Sequence, residues 1–419
     1  MSPDCCFPRT RPALLALGLL LAGGGSGSQA QTKRWVSATA DVQYYQQPCS
    51  DAPAFWPQGG AGEPPWSQGP QDAPDTPVDA AAAPAVEKTR KWSRTFAVPA
   101  GKPYALDTRY GRVQVNVWNR NEIRTDVDII TRADTEEKAR QLQDMIQVQL
   151  LENDPATGGV SARSRFGAMP RACWSRTKLY EVNYTVWVPK NTPLHVFNTF
   201  GDVSISGELT GPTELTVAYG TLRTGRLEGR RNVVRVGHGQ AAVAYARRAS
   251  IDASYSRLRL DEGQTVALRN HYSDIAIGQV QELTVHSKYG DVALGTVRQL
   301  RGSSGFCKFS IDQLSDRLEM TVQHCPSFEV RNTGRNFSLI NLDGGYSTIL
   351  LNFADEAEFN FDVNTQHGKL LVDKRLVRVA AEETGPTSSD VQGTFGAKAR
   401  QGSGNVNIKV RYGNVSFNR

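Results

Sequence analysis

Chemistry-bearing motifs are scarce in this 419-residue chain. No CxxC pair and no Cys/His cluster at metal-ligand spacing occurs, so nothing argues for a bound zinc. The six histidines (His195, His238, His271, His286, His324 and His367) are dispersed, with no HExxH and no triad-like elbow. No GxGxxG follows a strand, no phosphate loop is present, and the calcium-binding nonapeptide of some β-helices is missing. Together these absences favour a scaffold over an enzyme and call for no cofactor and no metal. Net positive charge is also weak, at +6 over the whole chain, with arginines scattered among acids. Nucleic-acid binding needs a concentrated basic face, so it is not expected. Long apolar runs are absent too. The best one, Ala13 to Ala22 (ALLALGLLLA), is too short to span a bilayer.

That run has a different meaning. Arg9 and Arg11 precede it, and small residues lead from it to Ser28-Gln29-Ala30, the layout of a cleaved secretory signal. Cys5 and Cys6 lie before it and no cysteine follows directly, so a lipid-anchored cysteine is not expected. The expected location is therefore exported: periplasm, outer-membrane-associated or extracellular. Residues 31–91 are rich in Pro, Gly, Ala and Gln and poor in aliphatics, as in APAFWPQGGAGEPPWSQGPQDAPDTPVDAAAAPA. So few apolar groups cannot offset the entropy of ordering a backbone, which predicts a tether.

Order is expected from Trp92. Val113, Val115 and Val117 alternate with polar residues, as do Tyr180, Val182, Tyr184, Val186 and Val188. Period two means strands with one buried face. Between them Asp134 and Glu137 form a capping box for a helix that buries Ala139, Leu142 and Ile146. Residues 92–190 thus read as a β-rich unit with one helix.

From Asn191 a repeat takes over: an aromatic ring, a small residue, any residue, then an aliphatic. Phe200, Tyr219, His238, Tyr255, Tyr272, Tyr289 and Phe306 fill the ring position, spaced 19, 19, 17, 17, 17 and 17 residues apart. His324-Cys325, Tyr346-Ser347, His367-Gly368 and Tyr412-Gly413 continue it, and Tyr110-Gly111 is an early copy. Such constancy predicts one supersecondary unit stacked many times, since a lone unit cannot bury its apolar face. The fold class expected is all-β, a parallel solenoid over 191–419, with a polar loop excursion at 380–404.

These residues resemble the bacterial putative-adhesin family, a domain of unknown function with β-strand repeats. The resemblance rests on Tyr110-Gly111-Arg112-Val113 with Val115 and Trp118, the capped helix, the repeats, and the ending Val406-Asn407-Ile408 with Tyr412-Gly413-Asn414-Val415. It implies a right-handed β-helix and an envelope or surface role. It brings no catalytic residues.

Aligned repeats form columns. The ring column gains contact energy by stacking, and if exposed it could also be a platform for sugar rings. The small column is Gly201, Gly220, Gly239, Ser256, Ser273, Gly290 and Cys307, where glycine supplies turn conformations in tight space. Cys325 falls one repeat beyond Cys307. Stacking brings them near enough for a disulfide, and two buried thiols are the alternative. The third column is Asp202, Thr221, Gln240, Arg257, Asp274, Asp291 and Lys308. Asp274 and Asp291 are neighbours, as paired acids are in polysaccharide-cleaving β-helices. The flanking cations favour ionised carboxylates, against a general acid. The function expected is a non-enzymatic binding or structural module, with envelope polysaccharide or another surface protein as partner. The rivals are a carbohydrate-active β-helix enzyme and a periplasmic sensor or regulatory partner.

Overall fold

Strands dominate because aliphatic and polar residues alternate through most of the chain. The computed structural model describes residues 86–169, 171–173, 179–396 and 404–419. The expected signal and most of the expected tether, with Cys49, lie outside them. Order begins before the tether boundary expected at 91: Val86–Ala97 is already a strand, antiparallel to Glu122–Ala133. Its run of Lys and Arg suits a sheet edge, where charge discourages further pairing.

Two stacks of parallel strands carry the repeats. Strands leading into each ring residue form one stack. Tyr104–Arg109 pairs with Leu194–Thr199, followed by Thr213–Ala218, Asn232–Gly237 and the second half of Gln240–Ser254. Strands leaving each ring residue form the other stack. It runs from Val113–Trp118 through Val203–Leu209 and Thr221–Leu227 to the first half of Gln240–Ser254. Beyond this point Arg257–His271, Asp274–Lys288, Val292–Gly305 and Lys308–Gln323 each run from one ring to the next and serve both stacks. Partners sit one repeat apart, as in Leu258↔Ile275 and Ile275↔Val292. Inward columns such as Leu260, Ile277, Leu294 and Ile311 are fully buried and join one continuous core. Each such side chain contributes about 1.5–3 kcal/mol by leaving water.

The parallel array therefore starts at Tyr104, well before Asn191. Residues 119–193 form an excursion whose strands Val160–Phe166 and Leu179–Pro189 return to pair with Tyr104–Asp107 and Val113–Trp118. The helix in that excursion spans Glu136–Asp144 and buries Ala139 and Leu142. Its cap is Thr135, whose hydroxyl accepts from the Lys138 N–H, so the expected Asp134 cap is displaced by one residue. Ile146 is not on the helix but opens the strand Ile146–Leu151.

The far end departs from chain order. Gly404–Arg411 lies between Leu339–Gly345 and Phe359–Gln366, parallel to both. Val415–Asn418 likewise separates Ile349–Phe353 from Leu370–Val372. The stretch expected as a loop over 380–404 instead carries Val377–Thr384 and Ser388–Phe395, an antiparallel hairpin laid against Phe359–Gln366. Its outer strand is mostly exposed, so its polar composition masked the strand.

Because Gly404–Asn418 holds two non-adjacent segments together, removing it should release everything beyond Leu339. Truncation after Gly396 is expected to make residues 339–372 sensitive to limited proteolysis while 194–323 stays protected. Mass spectrometry of the fragments checks this. Continued protection of 339–372 would show that the flanking strands can pair without the insert.

Candidate functional site: an exposed aromatic row

Among the described residues, twelve non-glycine residues have left-handed backbone, and all twelve are the ring residues of the repeat. Their φ angles lie between 50 and 60° at Tyr110, Phe200, Tyr219, His238, Tyr255, Tyr272, Tyr289, Phe306, His324, Tyr346, His367 and Tyr412. For L-residues that conformation costs roughly 1–2 kcal/mol each, and bulky side chains adopt it rarely. It breaks the side-chain alternation at the corner, so at sites such as His271-Tyr272 and Lys288-Tyr289 two consecutive side chains face outward before alternation resumes.

The rings stack into one row. Centroid distances fall between 4.5 Å for Tyr272–Tyr289 and 5.3 Å for Tyr110–Phe200, with near-parallel planes. Spatial order follows pairing rather than sequence: Tyr346 stacks on Tyr412, and Tyr412 on His367. With roughly 4.8 Å per rung, twelve rungs make a row on the order of 50 Å long. At one end Phe166 and Tyr180 pack edge-on against Tyr110 and close it. The row stays accessible: Tyr219 is 50% exposed, Tyr255 54% and Tyr346 55%.

Stacking decides what such a row can bind. An interior ring has a neighbour within about 5 Å on each side. No sugar ring fits between, so face-on stacking, the expected platform mode, is closed along the interior of the row. What faces water is ring edge and polar tip. Burial among neighbouring rings, with the Tyr289 and Tyr255 phenols alongside, holds the Tyr272 phenol above its ordinary pKa. Tyr272 therefore presents a neutral hydroxyl that can donate and accept.

The small column explains how the corner closes. A Cβ on Gly201, Gly220 or Gly239 would overlap the carbonyl oxygen of Gly111, Gly201 or Gly220 on the previous rung. Gly290 meets Ser273 in the same way and has φ +105°. Serine replaces glycine where its hydroxyl bonds locally. Ser256 Oγ donates to the Ser254 carbonyl at 2.7 Å and accepts from the Gly239 N–H at 3.3 Å. Ser273 Oγ donates to the His271 carbonyl and accepts from the Ser256 N–H. Cys307 and Cys325 occupy the position as free, buried thiols. Each sulfur donates to the carbonyl two residues back, Gly305 or Gln323, and so copies serine rather than forming the disulfide. Burial also pushes the Cys325 thiol up in pKa, away from the reactive thiolate.

A further column escaped sequence reasoning. Two residues before the ring, Asn198, Asn270, Ser287, Ser304 and Thr365 are buried and polar. Asn270 Nδ2 donates to the Ser273 carbonyl and to Ser287 Oγ, both at 2.9 Å. Asn198 Nδ2 donates to the Gly111 carbonyl. Asn198, Asn270 and Thr365 thereby satisfy corner carbonyls, while Ser287 and Ser304 bond the Cys307 and Cys325 sulfurs. The signal was the 17-residue register itself, read at one more position.

The third column is on the surface, beside the rings. Asp202 Oδ1 accepts from the Thr221 N–H at 3.0 Å, and Asp274 Oδ1 from the Asp291 N–H at 3.3 Å. The carboxylates thus cap the backbone of the next rung. Gln240, Arg257 and Asp274 border a shallow groove of about 510 Å3 with His238, Tyr255 and Tyr272. Among the described residues, no group of three or more His, Cys, Asp or Glu side chains converges as a metal site would require.

No protein-family model and no curated protein matches the chain. Among solved structures it is similar to a putative cell adhesion protein from Clostridium sporogenes, at 7% identity and a TM-score of 0.20, covering 79% of this chain and 99% of that one. It is also similar to a putative adhesin from Bacteroides fragilis, at 11% identity and a TM-score of 0.27, covering 78% and 97%.

Two stability predictions follow from the corner. Gly220→Val should destabilise by a few kcal/mol, because the obstacle is backbone and cannot move aside. Equal melting temperatures for variant and wild type would refute the corner packing. Tyr255→Ala should lose about 1–3 kcal/mol, since two stacking contacts disappear. Tyr255→Gly should lose about 1 kcal/mol less, because glycine adopts positive φ freely. Denaturant unfolding of both variants measures the difference, and equal losses would mean that the corner is unstrained.

Proposed function

We propose that this chain is an exported, non-enzymatic parallel β-helix, adhesin-like in role, that uses its aromatic row as a binding or structural surface in the cell envelope. The observation supporting this most is the row itself. Glycine or asparagine fills a left-handed corner at less strain, yet among the described residues all twelve such corners carry a ring, and most leave it about half exposed. Stacking accounts for adjacency of the rings but not for an uninterrupted row along one face. A partner suited to it is elongated: an envelope polysaccharide or an extended surface protein lying across ring edges and phenol hydroxyls, with the Gln240 and Arg257 side chains alongside. Export is supported by the N-terminal charge and apolar pattern. Among the described residues no helix is long and apolar enough to cross a membrane.

The carbohydrate-cleaving alternative has Asp274 and Asp291 as its best pair. Their geometry supports a structural role instead, because Asp274 is engaged with the backbone N–H of the very residue that would be its catalytic partner. A glycosidase needs two carboxyl groups flanking a scissile bond, one of them held protonated.

A reducing-sugar assay on acidic and neutral polysaccharides separates the two readings. We expect no release from wild type, and unchanged glycan retention with Asp274→Asn and Asp291→Asn. Tyr255→Ser combined with Tyr272→Ser should weaken retention of any bound polysaccharide or surface-protein partner. Turnover that vanishes with Asp274→Asn would overturn the scaffold reading.

A further inference from the structure

The two strand stacks end unequally. The stack of strands leaving the rings stops at Leu370–Val372, which pairs on one side with Val415–Phe417. Among the described residues nothing pairs with its other edge. The opposite stack continues for two more strands, Ser388–Phe395 and Val377–Thr384. Among the described residues no strand faces this hairpin, so it overhangs.

The overhang exposes what a facing sheet would cover. Phe359, Phe361 and Val363 point into the core, and they pair with Phe395, Gly393 and Val391. Alternation then turns Val377, Val379 and Glu382 of the outer strand the same way. These three, Val391 and the open edge at Leu370 and Val372 line one cleft of about 950 Å3. Val379 remains 49% exposed. Lys369 and Lys374 also border the cleft, opposite in sign to Glu382.

We infer that this end is a self-association surface for a second copy of the chain, joined about a two-fold axis. Each copy lacks two strands on one stack and has two unmatched strands on the other. Rotation by a half-turn brings the hairpin of one copy opposite the hairpin of its partner and alongside the open Leu370–Val372 edge. Val377, Val379 and Val391 of the two copies then cover one another. Glu382 of each copy meets the Lys369 and Lys374 side of the other. Such an isologous contact closes on itself and leaves the opposite end of each array free. It also removes an exposed strand edge beside apolar side chains, a combination that otherwise invites uncontrolled pairing.

The charges provide the test on the full chain. Sedimentation equilibrium of wild type over a concentration series should show a monomer–dimer equilibrium. Glu382→Lys alone, and Lys369→Glu with Lys374→Glu, should each raise the dissociation constant at least about tenfold, because like charges then face across the axis. An equimolar mixture of the two variants should dimerise again, since both contacts become attractive only between unlike copies. That mixture separates an intermolecular contact from one within a chain. Wild type that stays monomeric throughout, or variants that dimerise as tightly as wild type, or a mixture that stays monomeric, would each overturn the inference.

Discussion

The structure depends on one constraint, the close approach of backbone at each corner. A parallel array fixes neighbouring rungs at roughly 4.8 Å, so every rung must turn at the same place in the same way. The left-handed residue makes the turn, and the next residue then packs directly against a carbonyl of the rung before. Glycine fits there because it has no Cβ, and where serine or cysteine stands instead its side chain bonds back to its own rung. Outward rings follow from this corner, and on rungs such as those of Asn198 and Asn270 a buried amide two residues earlier bonds a corner carbonyl. A change at any one of these three positions is felt at the other two.

Rung coupling is local, so stability along the array resembles a sum over nearest-neighbour contacts, and its ends matter disproportionately. At the first end, antiparallel strands and Arg90 and Arg94 close the sheet. Their guanidinium groups donate to the Ile146 and Leu150 carbonyls and occupy acceptors on an outer strand. At the far end, the final rungs are held by a segment from the end of the sequence. Leu339–Gly345 and Phe359–Gln366 cannot reach their native spacing until Gly404–Arg411 has arrived between them. That gives the far end a high contact order compared with the 17-residue rungs in the middle, and a slower final step of folding is the physical consequence.

Repetition made much of this legible in the sequence. A 17-residue spacing carries positional information for every residue in the unit, so the ring, small and third columns could be aligned without coordinates. Tyr110, His324, Tyr346, His367 and Tyr412 also showed as copies of the motif. Their spatial order could not be read, because the motif says that a segment is a rung but not which rungs flank it. The start of the array was missed at Tyr104 because a 75-residue excursion separates the first rung from the second. The hairpin at 377–395 was hidden by polarity: an overhanging strand has little to bury. The spacing to Glu137 points to Asp134 as the helix cap, but Thr135 can accept from the first turn as well, and backbone geometry makes it the cap.

Exposure of the rings follows from the same geometry that stacks them. A residue with positive φ at a convex corner sends its side chain away from the core, so burying it would need another layer of chain. Adjacent rungs provide partial cover instead, each ring shielding the faces of its neighbours and leaving edges to water. The interior of the row is therefore a poor platform for rings laid flat and a good one for ligands that run across it, making many weak polar and edge contacts. Affinity would grow with the number of rungs spanned and vary little with any single residue. Under the proposed role, residue-by-residue motifs for binding are therefore not expected in the sequence. The recognisable unit is the column, and a column is visible only when the rungs are laid one above another.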